Sequence, residues 1–170
     1  MEAEKLEQGM DKRALRHAMG GFATGVCVIT VADPDHVDGH TVGMTANSFS
    51  SVSLDPPLVQ WCLDLKAHRY ALYAGAQTFG INILNGEQEA LSRRFARENA
   101  HIVPEEGLTH AAEPLKLVGA VGYFACELYE ARLVGDHLVI VGEVKAFESD
   151  PAQHALTFFK GRYGQIGTAE

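Results

Sequence analysis

The sequence predicts a mainly β fold, an antiparallel β-barrel with a few helices. Runs such as GVCVITVA (25–32) and FGINIL (79–84) are dense in β-branched and apolar residues, the composition of strands. Strand-like runs follow one another across short turn-forming stretches, so neighbours pair as hairpins. Few stretches carry helical spacing, and GxGxxG and P-loop motifs are absent, which disfavours a parallel, doubly wound sheet.

Taken in order, Met10, Ala14, Leu15 and Ala18 fall at helical spacing, with Gly20 and Gly21 as a stop. The strand at 25–32 leads into DPDHVDGH (33–40), whose Pro, Asp and Gly residues predict a hairpin loop. His36 and His40 stand there among aspartates, but a loop does not converge two imidazoles as a helix would, so a solvated loop is the better reading. Residues 67–77 carry a helical pattern, 79–84 a strand, and 85–98 a helix with Leu91 and Phe95 stacked at i and i+4. Arg93, Arg94 and Arg97 on it read as a solvated face. Residues 101–115 have no clean period and read as an excursion loop that covers a pocket. The strands 120–134 and 136–148 close the domain, with Gly135 and Asp136 as the turn. Phe124, Cys126 and Leu128 share one face of the first; Leu138, Ile140, Gly142 and Val144 share one face of the second.

The 170 residues suit one domain, 1–170, with a core over about 13–167. Its 46% hydrophobic and 21% charged residues are ordinary for a globular chain. A net charge of −8 with no basic run excludes a nucleic-acid partner, and an anionic ligand must be met by local cations and backbone donors. Cys27, Cys62 and Cys126 form no CxxC pair or metal-ligand spacing and read as reduced thiols. The first twenty residues lack an apolar leader core and no run is long enough for a membrane span, so the expected location is cytoplasmic.

The most informative stretch is GMTANSFSSVSLDPPLVQWCLDL (43–65). Thr45, Asn47, Ser48, Ser50, Ser51 and Ser53 cluster between apolar positions, and Pro56 and Pro57 are expected to stop ladder pairing before LVQWCLDL resumes as a strand. The polar groups suit a planar, hydrogen-bonding ligand; a polar outer strand followed by a surface turn is the alternative. No GxSxG, HExxH or Cys–base arrangement is present. Asp136 and His137, adjacent in sequence, are expected on opposite faces of a strand and therefore not as an acid–base pair.

GMTANSFSSVSLDPPLV, together with FATGVCVITV (22–31), FGINIL and GDHLVIVGEV (135–144), resembles the flavin reductase family, the small reductase components of two-component flavin monooxygenases, and the likeness runs in order from about Phe22 to Tyr163. The resemblance implies an FMN-binding split β-barrel of Greek-key order, a homodimer, FMN or FAD, NADH or NADPH, and a separate monooxygenase that receives reduced flavin. On the flavin side it implies Thr45, Ala46, Asn47 and Ser48, the backbone of Cys62, Leu63 and Asp64, and Arg94 with Phe95. His68 and Arg69 stand where relatives offer a Ser or Thr pair or a basic group to the flavin phosphate. On the nicotinamide-dinucleotide side it implies His137 and the run Phe158, Phe159, Lys160, Gly161, Arg162 and Tyr163. From the residues alone, Phe95 and Cys62 serve equally as core and His137 as a surface residue. Hydride transfer needs two flat rings held face to face with water excluded, so a site of small polar residues with no metal and no dedicated acid or base is compatible with it. A flavoprotein that keeps its FMN for electron transfer and a corrin or metal-complex reductase on the same fold remain the alternatives.

Overall fold

The computed structural model describes residues 10–35, 41–97, 101–102, 109–110 and 114–166. Helix α1 (Lys12–Met19) starts at Asp11, whose carboxylate accepts from the N–H groups of Arg13 and Ala14. Strands β1 (Thr24–Gly25), β2 (Cys27–Ala32), β3 (Thr41–Ala46), β4 (Ser50–Leu54) and β5 (Pro57–Asp64) follow. Then come α2 (Tyr70–Gly75), β6 (Thr78–Ile83), α3 (Glu89–Arg97), and the short strands β7 (His101–Ile102), β8 (Thr109–His110) and β9 (Lys116–Leu117). The long hairpin β10 (Gly122–Val134) and β11 (His137–Ser149) and the tail hairpin β12 (Leu156–Phe159) and β13 (Arg162–Gln165) complete the chain.

Among the described residues every strand pairing is antiparallel, and the main sheet runs β4-β5-β11-β10-β6-β2-β3-β7. The chain leaves β5 through α2 and returns at β6, and the later β10–β11 hairpin fills the gap between them. A second sheet, β1-β12-β13, joins the beginning of the barrel to its tail. Strand β2 is buried on both faces, which explains its unbroken apolar run. Cys27, Ile29 and Val31 enter one core with Trp61, Leu63, Tyr73, Phe79, Ile81, Cys126 and Ile140. Val28 enters a second core with Leu84, Phe95, Ile102, Leu117 and Leu156. Each fully buried large side chain contributes about 1.5–3 kcal/mol. Phe124 and Leu128 on β10, and Leu138 and Val144 on β11, pack on the first core with Cys126 and Ile140, as their alternation predicts.

A buried amide ties the two halves together. Asn82 Nδ2 donates to Val28 O and Thr30 Oγ1, its Oδ1 accepts from Leu117 N, and Thr30 Oγ1 donates to Leu115 O.

The structure corrects several expectations. Pro56 and Pro57 do not stop pairing: Asp55 and Pro56 form the turn, and Pro57 opens β5 opposite Leu54, where a missing N–H costs nothing. The helix expected over 85–98 begins at Glu89, because the Asn85 side chain holds a turn by accepting from Glu87 N. Part of the stretch 101–115 is strand, with His101 and Ile102 paired to Val42 and Thr41. Its remaining covering role, and His36 and His40, fall outside the described residues. Asp136 and His137 do pair: Asp136 sits in the turn rather than on the strand, and its Oδ1 lies 2.8 Å from His137 Nδ1.

Candidate active site

The end of β3 and the tail hairpin meet because Thr24 and Gly25 of β1 pair with Phe158 and Thr157. Val26, Thr45, Ala46, Asn47, Phe158 and Tyr163 line a cleft of about 180 Å³. The rings of Phe158 and Tyr163 meet edge to face at 5.2 Å. Thr45 Oγ1 donates to Ser92 O at 2.7 Å, and Ser92 Oγ is 2.9 Å from Tyr163 Oη, so α3 braces both walls. Arg93 lies over the Tyr163 ring at 4.7 Å and pairs with Glu89 at 2.6 Å.

Two further cavities share lining residues with this cleft. One of about 620 Å³ shares Asn47 and Phe158 with it and reaches α1 at Arg13, Arg16 and His17 and the tail turn at Lys160 and Gly161. Another, of about 840 Å³, runs along the tail hairpin past Phe159, Lys160, Arg162 and Tyr163. Thr24 lines both, and its buried Oγ1 has no hydrogen-bond partner among the described residues. An orphaned buried hydroxyl, the exposed Asn47 amide, aromatic faces and nearby cations make a donor set that fits a planar, anionic group such as a flavin or nicotinamide nucleotide.

The implied flavin residues do not all gather there. Ser48 Oγ accepts from Cys62 N at 2.9 Å, joining the polar segment to β5. Asn47 therefore remains the side chain of this segment open to a ligand. Leu63 is buried in the core, and Leu63 and Asp64 pair with Leu138 and His137 of β11. Phe95 is also wholly buried, packed against Gly43, where a Cβ would sit 3.0 Å from its ring.

Arg69 and Arg94 come together elsewhere, around His101. Asp33 Oδ2 accepts from Arg69 Nη1 at 2.8 Å and from His101 Nε2 at 2.9 Å, while Arg94 Nη2 donates to His101 O at 3.2 Å. The His101 hydrogen bond, aided by the Asp35 N–H and the Arg69 and His101 charges, holds the Asp33 carboxyl below its usual range against partial burial. Because His101 pairs with Val42 and Asp33 follows the Ala32–Thr41 pair, this cluster lies roughly 13–17 Å along β3 from Ala46. His68 precedes Arg69, on the α2 side.

Of the residues assigned to the dinucleotide side, Phe158 to Tyr163 join Asn47 around these cavities, whereas His137 lies across the ladder from Asp64. Asn47 of the early polar segment thus shares cavities with residues of the late run, while His137 and Asp64 lie side by side on neighbouring strands. Sequence reasoning missed Arg13, Arg16, Thr24, Ser92 and the Asp33–His101 pair. The i, i+3 spacing of Arg13 and Arg16 was the one available signal, since both fall on one side of a helix.

A small antiparallel barrel whose cleft joins aromatic faces to cations and unspent donors defines a binder of planar anionic molecules. The chain belongs to the flavin reductase like domain family, which matches residues 19–167. It is 40% identical over 154 residues to the stachydrine N-demethylase reductase subunit Stc3 of Rhizobium meliloti (strain 1021), covering 90% of this chain and 65% of that protein. The chain also spans about half the length of a second matched protein from the same organism. It is 36% identical over 167 residues to the FMN reductase (NADH) SmoA of Agrobacterium fabrum, covering 93% of this chain and 88% of the relative. The solved structure of the Streptomyces globisporus NADH:FAD oxidoreductase SgcE6 superposes with a TM-score of 0.82 at 32% identity, over 94% of this chain and 90% of that one. The antiparallel architecture is the split barrel of this family.

Proposed function

We propose that the protein is an NADH-dependent flavin reductase that passes reduced flavin to a separate monooxygenase. The observation that carries this reading is the meeting of Asn47 with the Phe158–Tyr163 hairpin at a cleft whose donors and cations are unspent. A bound flavin supplies the hydride acceptor and the reduced nicotinamide the hydride. The chain's task is to hold the two rings: Phe158 and Tyr163 wall the cleft, Ser92 and Thr45 stiffen it, and no side chain has to move a proton in the hydride step. FMN and FAD both fit the reading, and the names of SmoA and SgcE6 favour NADH over NADPH.

The partner oxygenase is supported by relatives that are themselves named reductase components. No helix of the described residues is long and apolar enough to cross a membrane, in keeping with a cytoplasmic site of action. A homodimer is supported by apolar side chains left in the open on β4 and the outer β10–β11 hairpin: Leu54 is 94% exposed, Phe147 70% and Leu133 61%. A second copy would cover them.

The test is oxidation of NADH, followed at 340 nm with added FMN, FAD or neither, using desalted protein. Activity that requires added flavin supports a diffusible product, and activity with retained yellow colour supports bound FMN. No oxidation with either flavin refutes the reading. Light scattering in solution reports the dimer.

A further inference from the structure

We propose that the outer half of β10 is a self-complementary edge, along which a second copy of this chain adds its own β10, antiparallel and centred on Ala131. This rests on the homodimer reading above, and names the strand and the register that build it; it does not rest on the reductase activity.

The edge is open because β6 is too short to cover it. Strand β6 pairs with Gly122 to Glu127 of β10, and the last bond on that side runs from Leu128 N to Gln77 O at 2.8 Å. Beyond it, among the described residues, Glu130 to Val134 are paired with β11 alone. The register shift between Leu128 and Glu130 sets this part of the strand off from the barrel ladder. Gly135 and Asp136 form a two-residue turn, so Val134 and His137 close the hairpin as a hydrogen-bonded pair. Two and four residues back along an unbroken register, Arg132 and Glu130 also direct their backbone groups at β11. The N–H and C=O groups of Ala131 and Leu133 therefore point to the free side. Tyr129 to Val134 are all exposed, and neither Pro nor Lys interrupts them to block pairing.

The run from Tyr129 to Leu133, YEARL, is its own complement. With a twofold axis at Ala131, Glu130 stands opposite Arg132 of the second copy, and Arg132 opposite its Glu130. Tyr129 falls beside Leu133 of the second copy, and the small Ala131 meets itself at the axis. Positions 130 and 132 share one face of the strand and 131 and 133 the other, so the two ion pairs lie together on one side. Among the described residues neither Glu130 nor Arg132 has an ion-pair partner within its own chain. Moving the axis by one residue sets Glu130 against Glu130, or Arg132 against Arg132, so the charges select a single register. The other edges of the main sheet carry no such pattern: β4 is uncharged and irregular in its pairing, and β7 has two residues.

Sedimentation equilibrium measures the dimer dissociation constant of the wild type, of Glu130→Arg, of Arg132→Glu, and of the double swap Glu130→Arg/Arg132→Glu. Both side chains are exposed, so all variants are expected to keep the wild-type circular dichroism spectrum. Each single variant opposes like charges twice and is expected to raise the dissociation constant at least about tenfold. Added salt is expected to narrow that difference. The double swap is expected to restore the wild-type value. An equal mixture of the two single variants is expected to form a heterodimer of near wild-type affinity, because each copy then presents the charges that the other lacks. Single variants that dimerise like the wild type overturn the β10 ladder and leave the homodimer standing, built elsewhere. Weakened single variants that neither the swap nor the mixture rescues also overturn it. A wild type that stays monomeric overturns the ladder and the homodimer together, while its NADH oxidation reports on the reductase reading separately.

Discussion

Ser48 and Cys62 are joined by a hydrogen bond from the Cys62 N–H to Ser48 Oγ at 2.9 Å, and this bond fixes the polar segment after β3 to the end of β5. Asn47, one residue earlier, has its amide exposed. Ser48→Ala is therefore expected to lower stability by about 0.5–1.5 kcal/mol, seen as an earlier urea midpoint. Asn47→Ala is expected to leave that midpoint in place and to weaken flavin binding severalfold by fluorescence titration. If instead Asn47→Ala binds flavin like the wild type, the flavin ring lies away from this segment.

If His137 serves the dinucleotide side, as the family resemblance implies, although it lines none of the cavities around Asn47, its 2.8 Å contact with Asp136 makes the aspartate a positioning residue for the imidazole. His137→Ala is expected to reduce kcat/KM for NADH roughly ten- to a hundredfold, the effect of losing a hydrogen bond to a charged group. Asp136→Asn should reproduce part of that loss, and in the double variant the two losses should not add. Stopped-flow reduction of flavin over a range of NADH concentrations measures both. Additive losses would mean that the two side chains act separately.

Asp33 supplies a pH dependence. Its folded carboxyl titrates below the unfolded value of about 3.9, so the unfolded chain takes up the proton first as pH falls. The stabilisation is complete above the unfolded value and is lost as pH drops through the folded one. Asp33→Asn should be less stable than the wild type at pH 7, with the gap in melting temperature narrowing below about pH 4. A gap that stays constant down to pH 2.5 would show that the carboxylate charge is not what Arg69 and His101 hold.

Gly43 leaves room for the Phe95 ring against β3. A Cβ there would sit 3.0 Å from Phe95 Cδ1 and from Val28 Cγ1. Gly43→Ala is expected to cost about 1–3 kcal/mol by overpacking, and adding Phe95→Leu should recover part of it. Chemical denaturation of the wild type and the two variants decides the matter.

Burial pushes the Cys27 and Cys126 thiols up to about 12, and the Ala46 carbonyl that accepts from Cys27 offsets this only slightly. At pH 8 neither offers appreciable thiolate, whereas Cys62 is partly exposed. Brief alkylation of the native protein should mark Cys62 alone by mass spectrometry; prior labelling of Cys27 would contradict the packing of β2.

What the sequence made legible was the repetitive part of the fold. The β-branched run of β2, the Gly135–Asp136 turn and the one-face alternation of β10 and β11 are local patterns, and the structure keeps all of them. The tail hairpin was not legible, because its two strands are short and its pairing to Thr24 and Gly25 depends on residues more than a hundred positions away. Nor was the separation of Arg69 from Asn47, which follows from strand register rather than from either residue. Asp136 and His137 were misjudged because strand alternation was applied to a turn residue.

The 2.9 Å hydrogen bond from Lys160 N–H to Gly20 O and the β1–β12 ladder have a bearing on how the protein matures. The pocket is assembled from the two extremes of the described chain, so a nascent polypeptide can pair β2 with β3 and β5 with β4 while still lacking Phe158, Lys160 and Tyr163. Strand pairing can thus begin before the cleft exists, and translation must have passed Tyr163 before Asn47 meets the aromatic wall of the tail hairpin.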